Sequence, residues 1–260
     1  MSAYGMETTI KGPVRIQQNA RLEIIERGFA WIPAAAWSLT PEMKSHWQRL
    51  ADDWDCLEQD RFLKPGATFR RRRYGRYYWS PANGQLTTLG NQPYFQSEGQ
   101  NGYAGGVERE FAPLLPDSVG NPFLHGLIRY TFACLPLPAD RRDRTWEVRV
   151  HQIRIVASPQ EQGEPAPEGI HQDGTDFLTL HLVRRSNVSG AVSTIYHLDR
   201  KPIQSYTMLE PLDSFILEDP RIMHGVTPIH PADGIGLAIR DLLGIDFIFA
   251  PDLPRPDSDL

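Results

Sequence analysis

The second half of the chain alternates short apolar runs with turn-forming residues. From residue 177 onward these runs recur regularly, separated by clusters of Gly, Pro, Asn and Asp. This pattern is typical of antiparallel strands in a sandwich or barrel. The predicted strands are 146–156, 177–183, 191–198, 205–209, 214–217, 222–226, 236–239 and 242–249. We therefore expect a mainly β fold with flanking α-helices.

The first half of the chain carries helical patterns and long loops. Thr40 and Pro41 form a helix start, because a hydroxyl can cap the first turn and proline fits inside it. A second helical pattern covers 14–28, and we expect both helices to buttress the sheet. The segment 80–126 is rich in Gly, Pro, Asn and Gln and reads as long ordered loops, which are often lids or binding segments.

An arginine-rich strand is predicted between residues 69 and 78. Successive strand residues point to opposite faces, so Arg70 and Arg72 share one face while Arg71 and Arg73 share the other. A run of like charge is usually a solvated face, but one of these pairs could instead face a carboxylate ligand. Because the chain as a whole is acidic, the run does not indicate a nucleic-acid surface.

Two polar residues interrupt one face of the predicted strand 146–156. Gln152 and Arg154 share that face with Val148 and Val150. Either the face borders a polar pocket, or the two side chains form a satisfied pair at the edge of a sheet.

The composition is that of an ordinary globular protein. The chain has 260 residues, of which 40% are hydrophobic and 23% charged, and its formal net charge is −5. This charge gives no general attraction to nucleic acid or to an anionic membrane. No apolar run reaches the ~18 residues of a membrane span, and the N-terminus lacks the pattern of a secretory signal. Cys56 and Cys134 stand in no metal or redox pattern and are expected to be buried thiols, so we expect a cytoplasmic protein.

The candidate chemistry begins with a His-x-Asp pair, His171 and Asp173. In an extended segment, residues two apart share a face, so an imidazole nitrogen and a carboxylate oxygen can point into one space. His224 follows a turn and is the predicted third ligand. Two histidines and one carboxylate on one face of a metal form the facial triad of non-haem Fe(II) oxygenases. The pair alone is a weak signal, since a loop histidine beside a hydrogen-bonding Asp gives the same pattern.

Arg240 strengthens the prediction of a metal site. It lies between apolar residues on the strand predicted after His224. A guanidinium can bind a carboxylate through two parallel hydrogen bonds, so Arg240 either pairs with Asp241 or a neighbour, or serves a ligand. A dicarboxylate that chelates iron at one end needs such an anchor at the other, which fits 2-oxoglutarate. Thr227 is a candidate for an additional hydrogen bond to that ligand.

Together these residues resemble the 2-oxoglutarate and Fe(II)-dependent dioxygenases, and more narrowly the bacterial free-amino-acid hydroxylases of the isoleucine dioxygenase type. The resemblance is strong over residues 146–249 and weaker before them. The matching stretches are 168–174 (EGIHQDG), 182–188 (LVRRSNV), 211–214 (PLDS), 224–229 (HGVTPI), 240–241 (RD) and 246–247 (DF).

The resemblance implies a single domain over residues 1–260 with a double-stranded β-helix, or jelly-roll, core. Residues 146–249 would form this core and carry the metal site. Residues 1–145 would supply helical and loop support together with elements on the substrate side, and residues 250–260 would form a tail.

The resemblance also implies the chemistry. Fe(II) would be held by His171, Asp173 and His224, the cosubstrate 2-oxoglutarate would be gripped by Arg240, and O2 would be used to hydroxylate an aliphatic C–H bond. The cosubstrate would be decarboxylated to succinate and CO2. Because Asp173 is retained, halogenation, in which that carboxylate is missing to make room for halide, is disfavoured.

The substrate implied by the resemblance is a free amino acid, whose carboxylate and ammonium must be paired inside the cavity. The candidates for these contacts are Arg70, Arg72, Gln152, Arg154 and Asp176. Three alternatives remain open. They are an oxygenase for a peptide- or carrier-bound residue or another small metabolite, a cupin-like isomerase or thiol dioxygenase, and a non-catalytic jelly-roll binding module.

Overall fold

The computed structural model of the protein describes residues 14–90, 92–99 and 101–256. Its helices lie in the first half of the chain, as the sequence predicts. They are α1 Val14–Arg27, α2 Pro41–Asp52, α3 Pro116–Val119, α4 Pro122–Cys134 and α5 Ala139–Arg142, with short 3-10 turns at Ala34–Ala36, Asp53–Cys56 and Asp219–Arg221. The predicted start of α2 is confirmed, because the Thr40 hydroxyl accepts a hydrogen bond from the Met43 N–H at 3.2 Å.

The strands match most of the predicted runs. They are β1 Phe29–Ile32, β2 Glu58–Gln59, β3 Arg70–Ser80, β4 Gln85–Thr88, β5 Trp146–Ala157, β6 Phe177–Ser186, β7 Val188–Gly190, β8 Val192–Tyr196, β9 Pro202–Thr207, β10 Ser214–Leu217, β11 Met223–Val226, β12 Ile229–Pro231 and β13 Ala238–Phe249. The separate strands predicted at 236–239 and 242–249 are one continuous strand, β13. Between β6 and β7, Asn187 adopts a left-handed backbone conformation with φ 53°.

The strands form two antiparallel layers, and the predicted jelly-roll core is confirmed. The large sheet has the order β1-β10-β6-β13-β5-β3-β2, with β4 paired to the end of β3. The second layer consists of the sheet β11-β8-β9 and the pair β12-β7. Because β1 to β4 belong to the large sheet, that sheet draws on residues before 146 as well as after.

The large sheet separates two hydrophobic cores. On its outer face, helices α1, α2 and α4 pack over sheet side chains such as Val148 and Phe247. On its inner face, Leu178 packs against Ile195 from the second layer. The large sheet is therefore buried on both faces, and the candidate site lies between the two β layers.

No helix in the part of the chain described here is both long and apolar enough to cross a membrane. Cys134 is buried, as expected, whereas Cys56 is exposed. The expectation for Cys56 is wrong because the 3-10 turn that ends there directs Trp54 into the core and leaves Cys56 at the surface.

Candidate metal and cosubstrate site

The structure brings His171, Asp173 and His224 together in one cavity. His171 lies in the loop between β5 and β6, and its backbone pairs with that of His224 on β11 through hydrogen bonds of 2.9 and 3.0 Å. This pairing sets the two ring centroids 4.3 Å apart. The Asp173 carboxylate faces both rings, with Oδ2 3.4 Å from His224 Nε2 and Oδ1 3.8 Å from His171 Nε2. One ligand atom from each side chain lies within 4.8 Å of the other two.

The donor set and its electrostatics fit a divalent metal. Nδ1 of His171 donates to the Gly169 carbonyl at 2.9 Å, which directs Nε2 toward Asp173. Burial raises the pKa of Asp173 to about 7 and lowers the pKa of His224 well below its usual range. Burial also acts to lower the pKa of His171, but the carboxylates of Asp173 and Glu168 outweigh it and raise that pKa. A buried carboxylate flanked by two imidazoles is stabilised when a cation is bound between them.

Asp219 fixes the backbone that carries the metal carboxylate. Its carboxylate accepts hydrogen bonds from the N–H groups of Asp173 at 3.0 Å, Gly174 at 2.7 Å and Thr175 at 3.2 Å. Its carbonyl accepts from the Gln172 side chain at 2.5 Å. The segment after His171 is therefore held from the 3-10 turn that precedes β11, which links the two halves of the metal site.

Arg240 lies in the same cavity and forms no ion pair with an acidic residue in the part of the chain that the structure describes. It is buried on β13, its Nη2 contacts only the Met208 sulfur at 3.5 Å, and its Nε has no hydrogen-bond partner among the described residues. Burial and the neighbouring Arg185 lower its pKa to about 10. The next residue, Asp241, points to the other side of the sheet and binds Arg154. A buried guanidinium left unpaired in a cavity fits the distal carboxylate of 2-oxoglutarate.

Arg70 and Arg72 line the other end of the cavity, as one face of the predicted strand allows. Arg70 is paired with Asp60 through a 2.7 Å hydrogen bond. Arg72 stacks over the Phe111 ring, with Cζ 3.8 Å from the centroid, and its Nη2 lies 2.7 Å from His151 Nδ1. Burial and the charge of Arg70 lower the pKa of Arg72 to about 10.

The loop before α3 closes this end of the cavity. Tyr94 and Arg109 pair through two backbone hydrogen bonds of 2.9 Å. In the segment between them, the side-chain amide oxygen of Gln96 accepts hydrogen bonds from Arg109 Nη2 at 2.7 Å and from Asn101 Nδ2 at 3.0 Å. Gln96 Nε2 donates to the backbone carbonyl of Asp173 at 3.2 Å. This loop therefore contacts the metal site directly.

Gln152 and Arg154 do not line the cavity, so the substrate role predicted for them needs correction. They point to the outer face of β5, which the helical layer covers. Gln152 is fully buried there and donates to Ser118 Oγ at 3.0 Å. Arg154 forms hydrogen bonds of 2.7 and 2.8 Å with the two carboxylate oxygens of Asp241. The alternation of side chains along a strand correctly placed Gln152 and Arg154 on one face, but it could not show which face borders the cavity.

Asp176 and Thr227 also lie away from the cavity. The Asp176 carboxylate accepts from Arg141 at 3.2 Å and from the Phe249 N–H at 2.8 Å, and so ties the start of β6 to the end of β13. Thr227 is exposed, and its hydroxyl accepts from the Val192 N–H at 3.0 Å. Asp176 and Thr227 each accept a backbone hydrogen bond from a neighbouring strand, and neither side chain lines the cavity.

Several cavity residues escaped the sequence prediction. Glu168 stands inside the quoted motif, and its carboxylate lies 3.2 Å from His171 Nε2, but no spacing rule assigns it a role. Asp246 accepts from His151 Nε2 at 3.0 Å, and the two face each other from adjacent strands. Gln96 and Arg109 come from the aperiodic segment, where only the general expectation of a binding loop was available.

A jelly roll that holds two histidines, a carboxylate and a buried arginine without a described acidic partner in one cavity is typical of the Fe(II) and 2-oxoglutarate oxygenases. A family model described as 2OG-Fe dioxygenase matches residues 51–246. The chain therefore belongs to the 2OG-Fe dioxygenase family and is an oxygenase that uses Fe(II), 2-oxoglutarate and O2.

Similar proteins support this assignment. The 3(1)-hydroxy-L-isoleucine 4-dioxygenase of Pantoea ananatis (strain AJ13355) is 26% identical over 232 residues, which cover 85% of this chain and 92% of that protein. The crystal structure of a bsmA homolog from Methylobium petroleophilum PM1 is 27% identical, with a TM-score of 0.76 over 95% of this chain and 100% of that one. The structure of IDO from Bacillus thuringiensis shows the same fold, with a TM-score of 0.76, 22% identity, and coverage of 90% of this chain and 99% of that one.

Proposed function

We propose that this protein hydroxylates an aliphatic C–H bond of a free L-amino acid and converts 2-oxoglutarate to succinate and CO2. The observation that carries the proposal is the balance of charges in the cavity beyond the metal site. Arg72 and Arg109 supply two positive charges, and Glu168 and Asp246 supply two negative charges. Arg70 is already neutralised by Asp60.

This balance favours a substrate without net charge but with both signs present. A buried ionic group is stable only when it is paired, so an unbalanced substrate would leave one of these four side chains unpaired. A free amino acid at neutral pH carries one carboxylate and one ammonium and meets this condition. The printed activity of the Pantoea ananatis relative, on a hydroxylated isoleucine, supports the same substrate class.

In this proposal His171, Asp173 and His224 hold the metal, and Arg240 binds the distal carboxylate of 2-oxoglutarate. When bound, Fe(II) supplies the activation of O2 that is coupled to decarboxylation of the cosubstrate. The chain itself orients the reactants. Asp219 holds the metal carboxylate in place, Arg240 sets the direction of the cosubstrate, and no side chain is required as an acid or base.

The test is a screen of the twenty L-amino acids with Fe(II), 2-oxoglutarate and O2, read by a mass gain of one oxygen and by succinate. N-acetylated amino acids and short peptides are included, because a tethered substrate would be hydroxylated in those forms. If wild-type protein hydroxylates only the blocked or peptide-bound forms, the proposal of a free amino acid is wrong.

Two histidine variants check that the assigned metal site carries the activity. His171→Ala should abolish both turnover and Mn(II) binding, since it removes a ligand from the triad. His230→Ala is the matched control, because His230 is exposed and outside the cavity, and it should retain both. Normal turnover by His171→Ala would show that the metal lies elsewhere.

A further inference from the structure

We propose that Arg109, together with Arg72, binds the α-carboxylate of the substrate and that Glu168 binds its α-ammonium. The inference rests on the proposed function and adds the contacts that select a free amino acid over its blocked forms. It assigns roles to two residues that line the cavity, Arg109 and Glu168.

Arg109 is a buried cation that forms no ion pair with any acidic residue of the described chain. Only 2% of its surface is exposed, and no carboxylate oxygen lies within 4 Å of it among the described residues. Its one polar partner is the neutral side chain of Gln96, and its Nε has none in the described chain. Since a buried charge of this kind is costly, a carboxylate brought by a ligand would be strongly favoured there.

Arg72 is placed to share that carboxylate. Both guanidinium groups lie over the Phe111 ring, Arg72 at 3.8 Å and Arg109 at 5.7 Å from its centroid. Arg72 Nη1 is 3.9 Å from Asp60, a long contact, because Arg70 takes the short hydrogen bond to that carboxylate. The charges of Arg72 and Arg109 repel each other, and an anion bound to both would relieve this repulsion.

Glu168 supplies the opposite charge. Its carboxylate lines the cavity, and its one close partner among the described side chains is His171 Nε2 at 3.2 Å. That nitrogen faces Asp173 and is the atom available to the metal. Once His171 Nε2 binds the metal, it can no longer donate a hydrogen bond to Glu168, and the Glu168 carboxylate needs another cation. Asp246 is less suited to this role, because it already accepts a hydrogen bond from His151.

Substrate analogues test the proposal on the wild-type protein. L-Isoleucine is the first probe, because the Pantoea ananatis relative is named for an isoleucine derivative, and any better amino acid from the screen replaces it. L-Isoleucinamide lacks the carboxylate, and 3-methylpentanoate lacks the ammonium. Each should be hydroxylated with kcat/KM roughly 10- to 100-fold below that of L-isoleucine, the range expected for losing one interaction with a buried charge.

Two variants then assign each end of the substrate. Arg109→Met should lower kcat/KM for L-isoleucine roughly 10- to 100-fold but change the amide less than about threefold, so that discrimination between acid and amide collapses. Glu168→Gln should lower kcat/KM for L-isoleucine roughly 10- to 100-fold but change kcat/KM for 3-methylpentanoate less than about threefold. Arg109→Lys, which keeps the charge, should recover part of the preference for the acid.

The control is Arg149→Met. Arg149 also lies over Tyr94, at 5.7 Å, but it is paired with Glu147 at 2.7 Å and does not line the cavity. Its discrimination between acid and amide should match that of the wild type. Calorimetric titration of L-isoleucine into protein loaded with Mn(II) and 2-oxoglutarate under argon gives the same comparison without turnover.

The outcomes separate this inference from the proposed function. If wild-type protein hydroxylates L-isoleucine and L-isoleucinamide equally well, or if Arg109→Met keeps the full preference for the acid, this inference is overturned while the function stands. If no free amino acid is hydroxylated or bound, both are overturned. Collapse of discrimination in Arg109→Met alone supports the carboxylate site and overturns the role of Glu168.

Discussion

Replacing Asp219 by Asn should weaken metal binding far more than an equally destabilising change elsewhere. Asp219 is not one of the three residues that could hold the metal. It accepts backbone hydrogen bonds from Asp173, Gly174 and Thr175 and so determines where the Asp173 carboxylate lies. Asn has nearly the same shape but offers one acceptor oxygen, and its amide group would face N–H donors that need an acceptor.

The size of the effect follows from these bonds. A hydrogen bond to a charged group contributes about 1.5–3 kcal/mol, and Asn removes the charge and at least one of three such bonds. Burial raises the pKa of Asp219, so part of this loss is offset by no longer burying a carboxylate. We expect a net loss of about 2–4 kcal/mol in the free energy of unfolding. For metal affinity we expect a loss of about 10- to 100-fold, which is typical when the group that orients a ligand is removed.

Asp213 provides the matched control. Its buried carboxylate also accepts three backbone hydrogen bonds, from Ala34 at 2.8 Å, Leu209 at 2.9 Å and Glu210 at 3.0 Å. It does not line the cavity, and its three backbone partners are not in the segment that carries Asp173. Asp213→Asn should therefore lose a similar amount of stability, about 2–4 kcal/mol by the same count of hydrogen bonds, and keep its metal affinity within about twofold.

The assay compares thermal unfolding of the metal-free variants with Mn(II) titration at a temperature where each is folded. The reasoning holds if both variants lose stability and only Asp219→Asn loses affinity. It is refuted if Asp219→Asn binds Mn(II) as tightly as Asp213→Asn does, because the three hydrogen bonds would then hold the loop without positioning the ligand.

Three further predictions concern single side chains. Arg240→Met should raise the KM for 2-oxoglutarate about 10- to 100-fold in steady-state assays, because the buried cation proposed to bind its distal carboxylate is lost. Mn(II) affinity should fall steeply as the pH drops below 7 in calorimetric titrations, because burial raises the pKa of Asp173 to about 7, the neighbouring carboxylates raise the pKa of His171, and protons then compete with the metal for both ligands. Burial lowers the pKa of His181 to about 3, so the contribution of its neutral ring to the free energy of unfolding is present above pH 6.5 and is lost as the pH falls toward 3. Between pH 7 and 4.5, the His181→Gln variant should therefore lose about 2–3 kcal/mol less of its free energy of unfolding than the wild type does, as measured by urea unfolding.

The alternation of apolar and polar residues predicted an antiparallel sandwich or barrel, and the family resemblance narrowed it to a jelly roll. The His-x-Asp pair alone was a weak signal, and His224, Arg240 and the resemblance were needed to propose the triad. These signals are local or periodic. The loop that carries Gln96 and Arg109 has no period, so nothing in the sequence placed it against Asp173. Its position depends on long-range hydrogen bonds that only the folded chain displays.

The face of β5 shows a different limit. Alternation groups Gln152 with Arg154 and His151 with Ile153, and both groupings are correct. It does not show which group faces a cavity, because a sheet covered on both sides buries both of its faces. Helix α4 and its neighbours cover the face that holds Gln152, and its polarity is satisfied there by Ser118. Polar residues on an apolar face were therefore not evidence of a pocket.

A charged residue on a central strand is better assigned a structural or a ligand-binding role by whether it has an oppositely charged partner. The predicted strands 236–239 and 242–249 are one strand, β13, which includes Arg240 and Asp241 and sends one to each side, with a register shift against β6 after Asp241. Asp241 is neutralised by Arg154, whereas Arg240 meets no acid in the described chain. Because a buried charge must be paired, the unpaired residue is the one that a ligand completes. The same reasoning distinguishes Arg70, already bound to Asp60, from the unpaired Arg109 in the proposed substrate site.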